Sequence, residues 1–84
     1  MKNKILVNVY VAKLDTDYDI YIPIDLPVGE IAHLIYKAAN ILSDNQLNSN
    51  GQYAIMDGTT GKFYDLNAIV STTDIKNGKN LIFF

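Results

Sequence analysis

The sequence predicts an α+β domain in which one amphipathic helix packs on one face of a mixed β-sheet. Three observations carry this expectation. Two runs near the N-terminus alternate in polarity with a period of two. Residues 28–42 switch to the helical period. The remainder holds short apolar runs at 52–56, 62–64 and 81–84, separated by Gly- and Asn-containing turns. The predicted order is strand, strand, helix, strand, short strand, strand.

Residues 4–12 place Ile5, Val7, Val9 and Val11 on one face and Lys4, Leu6, Asn8 and Tyr10 on the other, as a half-buried strand rich in β-branched residues does. The segment LDTDYD supplies turn chemistry, because Asp side chains accept bonds from nearby backbone N–H groups. Residues 18–24 alternate again, with Ile20, Ile22 and Ile24 opposed to Asp19 and Tyr21. Two such runs around an acidic turn predict a hairpin. Pro23 has no N–H for a ladder and suits an edge strand.

Pro27 opens the helix, where a missing N–H costs nothing, and Glu30 meets the positive end of the helix dipole. Val28, Ile31, Ile35, Ala38 and Leu42 form the expected core stripe, with Ala32, Leu34, Ala39 and Ile41 flanking it. Glu30, His33, Lys37 and Asn40 are expected to point away. Ile35 should pack on the sheet beside Val7, Val9 and Leu81.

SDNQLNSNG at residues 43–51 is loop-like. Residues 52–56 are expected as a third strand, followed by a turn at Asp57-Gly58 and a short partner strand at 62–64. Residues 66–75 show no clean period and predict a connection with a short helical turn. Asn77-Gly78 is a strong turn signal before the last strand at 81–84. The first and last strands, both apolar and free of Pro and Gly, are placed side by side in the centre of the sheet.

At 84 residues the chain has room for one core, so residues 1–84 are expected to form a single domain. With 49% hydrophobic and 19% charged residues it is globular rather than disordered. A net charge of −2 and no cluster of Lys or Arg argue against nucleic acid as a partner. The absence of Cys removes disulfides, thiol catalysis and thiolate metal sites. The basic start MKNKILVNVYVAK is not read as a signal peptide, since Asn8 and Tyr10 break the apolar run and no small-residue cleavage site follows. No apolar stretch approaches the roughly 20 residues a membrane helix needs, so direct membrane insertion is not expected. The expected location is the cytoplasm. Richness in Ile, Asn and Lys fits an AT-rich bacterial genome.

The element order and spacings resemble ubiquitin over nearly the whole chain. The C-terminal part is the most specific. Val70-Ser71, Ile75, Asn77-Gly78 and Leu81 follow the ubiquitin-like pattern in which a Leu-Ser pair, an Ile and a turn lead into the last strand. The helix start Pro27-Val28, followed by Ile31 and Ile35, fits as well. Within this superfamily, the ubiquitin-like β-grasp proteins, the chain is most similar to the bacterial YukD/EsaB family. These are small stand-alone proteins associated with type VII (ESX-like) secretion. Two positions depart from that family's pattern. Asp74 stands where Gly is usual, and Lys79 where Asp is usual.

The resemblance implies a non-conjugated protein-binding adaptor or regulator of such a secretion system, with secretion-system components as partners. The alternatives are a ubiquitin-like cytosolic domain of a larger type VII membrane component, or an unrelated ubiquitin-like interaction module. Conjugated relatives and sulfur carriers end in Gly-Gly, which an activating enzyme can thread. This chain ends in Phe83-Phe84, so neither role is expected.

No catalytic constellation, cofactor site or metal site is expected, and the chain is not expected to be an enzyme. His33 is the only histidine and falls on the outer helix face, without the partners a catalytic base or ligand needs. Asp15, Asp17 and Asp19 alternate, but the other ligands of a calcium loop are missing. The stretch from Asp57 to Lys62 has Gly and Lys as a phosphate loop does, at the wrong spacing.

The tyrosines speak instead for a binding surface. Strand parity places Tyr10 and Tyr21 on the sheet face opposite the helix, together with Leu6, Met56, Ile82 and Phe84. Aromatic and Met side chains are enriched at interfaces. These six residues are the expected protein-binding face. A second copy of the chain, meeting this face as a homodimer, is a further candidate partner.

Overall fold

The computed structural model describes residues 3–47 and 52–84. Its elements are β1 (Lys4–Val11), β2 (Thr16–Pro23), α1 (Val28–Leu42), β3 (Ile55–Asp57) and β4 (Asn80–Phe83). Single 3-10 turns stand at Ala12–Leu14 and Val70–Thr72. The sheet order is β2-β1-β4-β3. β1 is antiparallel to β2 and parallel to β4, and β3 is antiparallel to β4. Parallel strands cannot be joined by a tight turn. Here the parallel pair is the first and last strand, with α1 and β3 between them in the chain. Pro23 lies in the edge strand, as its missing N–H requires.

One face of the sheet and one face of α1 meet in a continuous core. Val7, Val9 and Val11 of β1, Ile22 of β2, Ile55 of β3, and Leu81 and Phe83 of β4 are buried beneath Val28, Ile31, Ala32, Ile35 and Ala39. The unpaired N–H groups at the start of α1 are met by the 66–75 connection: Val28 N donates to Ala68 O and Gly29 N to Leu66 O, both at 2.8 Å. Pro27 stands one residue before the helix, at its cap position.

Five local expectations need correction. The hairpin turn lies earlier and is tighter, because Asp15 closes it in a left-handed conformation (φ 49°), which Asp tolerates better than most residues. Thr16 and Asp17 thereby become part of β2. The buried stripe of α1 is rotated toward Ala32 and Ala39, leaving Leu42 61% and Ile41 75% exposed. The core beside the end of the helix is filled by Leu47, buried although it lies in a polar loop. Asn40 holds it there by accepting Leu47 N at 3.0 Å, so Asn40 does not simply point to solvent. The third strand starts at Ile55 rather than residue 52, with backbone bonds between Ala54 and Phe84 just before it. The expected strand at 62–64 is reduced to one bridge, Met56 with Phe63. Of the loop expected at 43–51, residues 48–51 lie outside the described residues.

Two of the turn glycines act differently. Gly78 has φ +87°, which a side chain resists. Gly58 passes so close to β4 that an added Cβ would sit 2.9 Å from Asn80 O.

Candidate protein-binding face

The sheet register decides which side chains share the face away from α1. Leu6 pairs with Tyr21 across β1 and β2. Tyr10 pairs with Ile82, and Ile82 with Met56, giving one row across three strands. Phe84 follows Ile82 by two residues and returns to the same side. All six candidate residues therefore lie on the open face, and Ile55, the neighbour of Met56, is the one turned into the core.

They do not form one patch. Tyr10, Ile82, Met56 and Phe84 lie together. Leu6 and Tyr21 stand about 13 Å farther along, four residues at ~3.3 Å each. The row between them is polar: Asp19 opposite Asn8, and Asn8 opposite Asn80. The larger group gains a member that sequence reading missed. Phe63 is 65% exposed, bridges to Met56, and sets its ring 6.0 Å from that of Phe84. Its signal was present in the expected pairing of 62–64 with the third strand, which places Phe63 beside Met56.

Tyr10 is held rather than free. Its hydroxyl donates to the Asp15 carboxylate, and that bond raises the phenol above its ordinary pKa. Asp17 and Asp19 are both bound by the Asn8 amide, at 2.7 and 3.1 Å. The three turn aspartates thus serve hydrogen bonds within the hairpin. His33 is exposed, with Nδ1 3.3 Å from the Tyr53 hydroxyl. Tyr53 in turn packs against Tyr36 and Phe83, with ring centroids 5.5 and 5.7 Å apart.

A second polar cluster lies at the edge of the core. Asp57 is buried, the only charged residue so placed among the described residues. Its Oδ1 accepts Thr59 N at 2.8 Å and Thr60 N at 3.3 Å, and its Oδ2 meets Lys79 Nζ at 2.9 Å. These backbone bonds and then the Lys79 ammonium lower its pKa from 3.8 to about 2. The bond to Asp57 raises the pKa of Lys79. Tyr64 donates to Asp74 at 2.7 Å, and burial together with that carboxylate raises its phenol well above the ordinary range. Lys79 also lies 3.5 Å from Asp74. Asp74 and Lys79 are thus partners of one another. The turn after Asp57 cannot act as a phosphate loop in this conformation. The Asp57 carboxylate already occupies the N–H groups of Thr59 and Thr60 that such an anion would take.

Neither a known family model nor a curated protein sequence matches this chain. Solved structures do. The EccD5 ubiquitin-like domain from Mycobacterium xenopi matches with TM-score 0.80 at 14% identity, over 96% of this chain and 92% of that one. A chain of the MycP5-free ESX-5 inner membrane complex matches with TM-score 0.80 at 16% identity, over 98% of this chain and 21% of that one. This chain therefore spans about a fifth of that relative's length. A chain of the toluene 4-monooxygenase HD complex matches with TM-score 0.78 at 6% identity, over 95% of each. The fold is thus the ubiquitin-like β-grasp. Its occurrence in such different assemblies means that the fold alone assigns no activity. Among the described residues, no helix is long and apolar enough to cross a membrane.

Proposed function

We propose that this chain is an adaptor or regulator that binds a component of a type VII (ESX-like) secretion system on its cytoplasmic side, acting by docking rather than by conjugation. The observation that carries the docking reading is the cluster of Tyr10, Met56, Ile82, Phe84 and Phe63 on the sheet face opposite α1. Solvated aromatic area gathered in one place is characteristic of a surface that a partner covers. The secretion-system assignment is supported by the likeness to the EccD5 domain and the ESX-5 chain, and by the Pro27-Val28 and Asn77-Gly78 motifs.

A photo-crosslinking residue placed at Phe63 or Phe84 in the native host tests both parts. Adducts with identified secretion components from these positions, and none from Lys37 on the helix, are expected. Adducts from Lys37 alone would contradict the choice of face, and face adducts lacking any secretion component would contradict the assignment. The ESX-5 match favours a second reading, a cytosolic ubiquitin-like domain of a larger membrane component, because the matched chain is several times longer. The mass of the native gene product separates the two.

A further inference from the structure

β2 is an edge strand, and its outer side is open among the described residues. The phase of its hydrogen bonds follows from one contact. Ile24 N donates to Asn3 O at 2.9 Å, so these residues are a bonded pair. Along the register from there, Thr16, Tyr18, Ile20 and Ile22 turn their peptide groups toward β1. β1 agrees from its other side, where Leu6 N donates to Asn77 Oδ1 and Asn8 N to Lys79 O. The peptide groups of Asp17, Asp19 and Tyr21 therefore face outward. Pro23 ends the row of donors, having no N–H. This is an unfilled ladder onto which a further strand can be added.

The side chains along this edge specify the strand. On the helix side lie Tyr18 and Ile20, half-buried against the core. On the open side stand Asp17 and Asp19, both exposed and both tied to the Asn8 amide, which holds the two carboxylates side by side. A strand pairing here meets apolar neighbours on one face and anions on the other. A second copy of β2 fits poorly, since antiparallel pairing centred on Asp19 sets that carboxylate against its own image. We propose that the free edge of β2 docks an extended segment of another protein in which Lys or Arg alternates with β-branched apolar residues. The segment runs antiparallel to β2, where residues directly opposite share a face and, at outward-facing peptide groups, exchange both backbone bonds. The Lys residues of the segment therefore present their own N–H groups to β2 and their ammonium groups to Asp17 and Asp19. This edge lies across the sheet from Met56, Phe63 and Phe84 and adjoins their cluster at Asp17, which pairs with Tyr10.

A blocked peptide of alternating Val and Lys, titrated into the intact 15N-labelled chain, tests the proposal. The amides of Asp17, Asp19 and Tyr21 are expected to shift and to gain protection from hydrogen exchange. Asp17→Asn with Asp19→Asn is expected to weaken binding roughly five- to tenfold, with a loss that shrinks as salt is added. N-methylation of the Lys residues abolishes binding, whereas N-methylation of the Val residues leaves it, a comparison that leaves the protein's own fold untouched. Phe84→Ala leaves peptide binding unchanged, so failure here and failure of the aromatic cluster as a docking site are read separately. Absence of shifts at the three edge amides, or equal binding of a peptide with Glu in place of Lys, overturns the proposal. So does protection of those amides in a concentration-dependent dimer without peptide, which assigns the edge to a second copy.

Discussion

Replacing Ile35 with Ala removes three carbon groups from a side chain with no solvent exposure, at the centre of the contact between α1 and the sheet. At about 0.8 kcal/mol per buried group, the lost transfer free energy is about 2.4 kcal/mol. The core that surrounds Ile35 is built from all four strands and closes only partly around the gap, so a cavity penalty adds to this. The expected total is about 3–4 kcal/mol, inside the range of about 2–5 found for such truncations. Leu42→Ala is the informative control. Plain helical periodicity puts Leu42 in the same stripe as Ile35, but the structure leaves it 61% exposed, and its truncation should cost less than about 1 kcal/mol. Urea melts of the two variants, compared at unchanged m-value, give the difference directly. For a domain of this size the Ile35 variant should also melt more than about 12 °C below the parent. Equal losses from the two substitutions would refute the rotation of the helix described above.

Asn40→Ala should cost about 1 kcal/mol by freeing the Leu47 N–H, whereas Lys37→Ala on the exposed side should cost almost nothing. Asp57 has a folded pKa of about 2, below its ordinary 3.8, so it contributes stability at neutral pH that is lost as pH falls through the window from about 4 to about 2. Asp57→Asn should flatten the acid limb of a stability–pH profile in that window. Gly78→Ala should lower stability by about 1 kcal/mol in a thermal melt, because the residue sits at φ +87°. Phe84→Ala and Tyr10→Ala should each weaken partner binding by about 2 kcal/mol where the residue is central to the interface, with titration calorimetry as the measure.

The long, strongly periodic elements were legible in the sequence. β1 shows its parity through four aliphatic residues on one side, and α1 shows its extent through Pro27 and the apolar spacing up to Leu42. The central pairing of β1 with β4 followed from their apolar character and freedom from Pro and Gly. What stayed hidden depended on contacts distant in sequence. Nothing local marks Leu47 as a core residue. It is buried because Asn40 and the end of α1 bring a polar loop back over the core. Asp57 reads as a turn residue, and it is one, but its burial depends on Lys79, 22 positions later in the chain. The candidate face was legible as a parity class and not as a patch. Alternation says which side a residue is on, while the register says that Asn8, Asp19 and Asn80 divide Leu6 and Tyr21 from the aromatic group.

The docking of a partner on the open sheet face is tested most directly by amide chemical-shift mapping of the 15N-labelled chain against a crosslinked and identified secretion component. Shifts centred on Tyr10, Met56, Phe63, Ile82 and Phe84 are expected, with Glu30, His33 and Lys37 unmoved. Shifts confined to the outer face of α1 would contradict this docking.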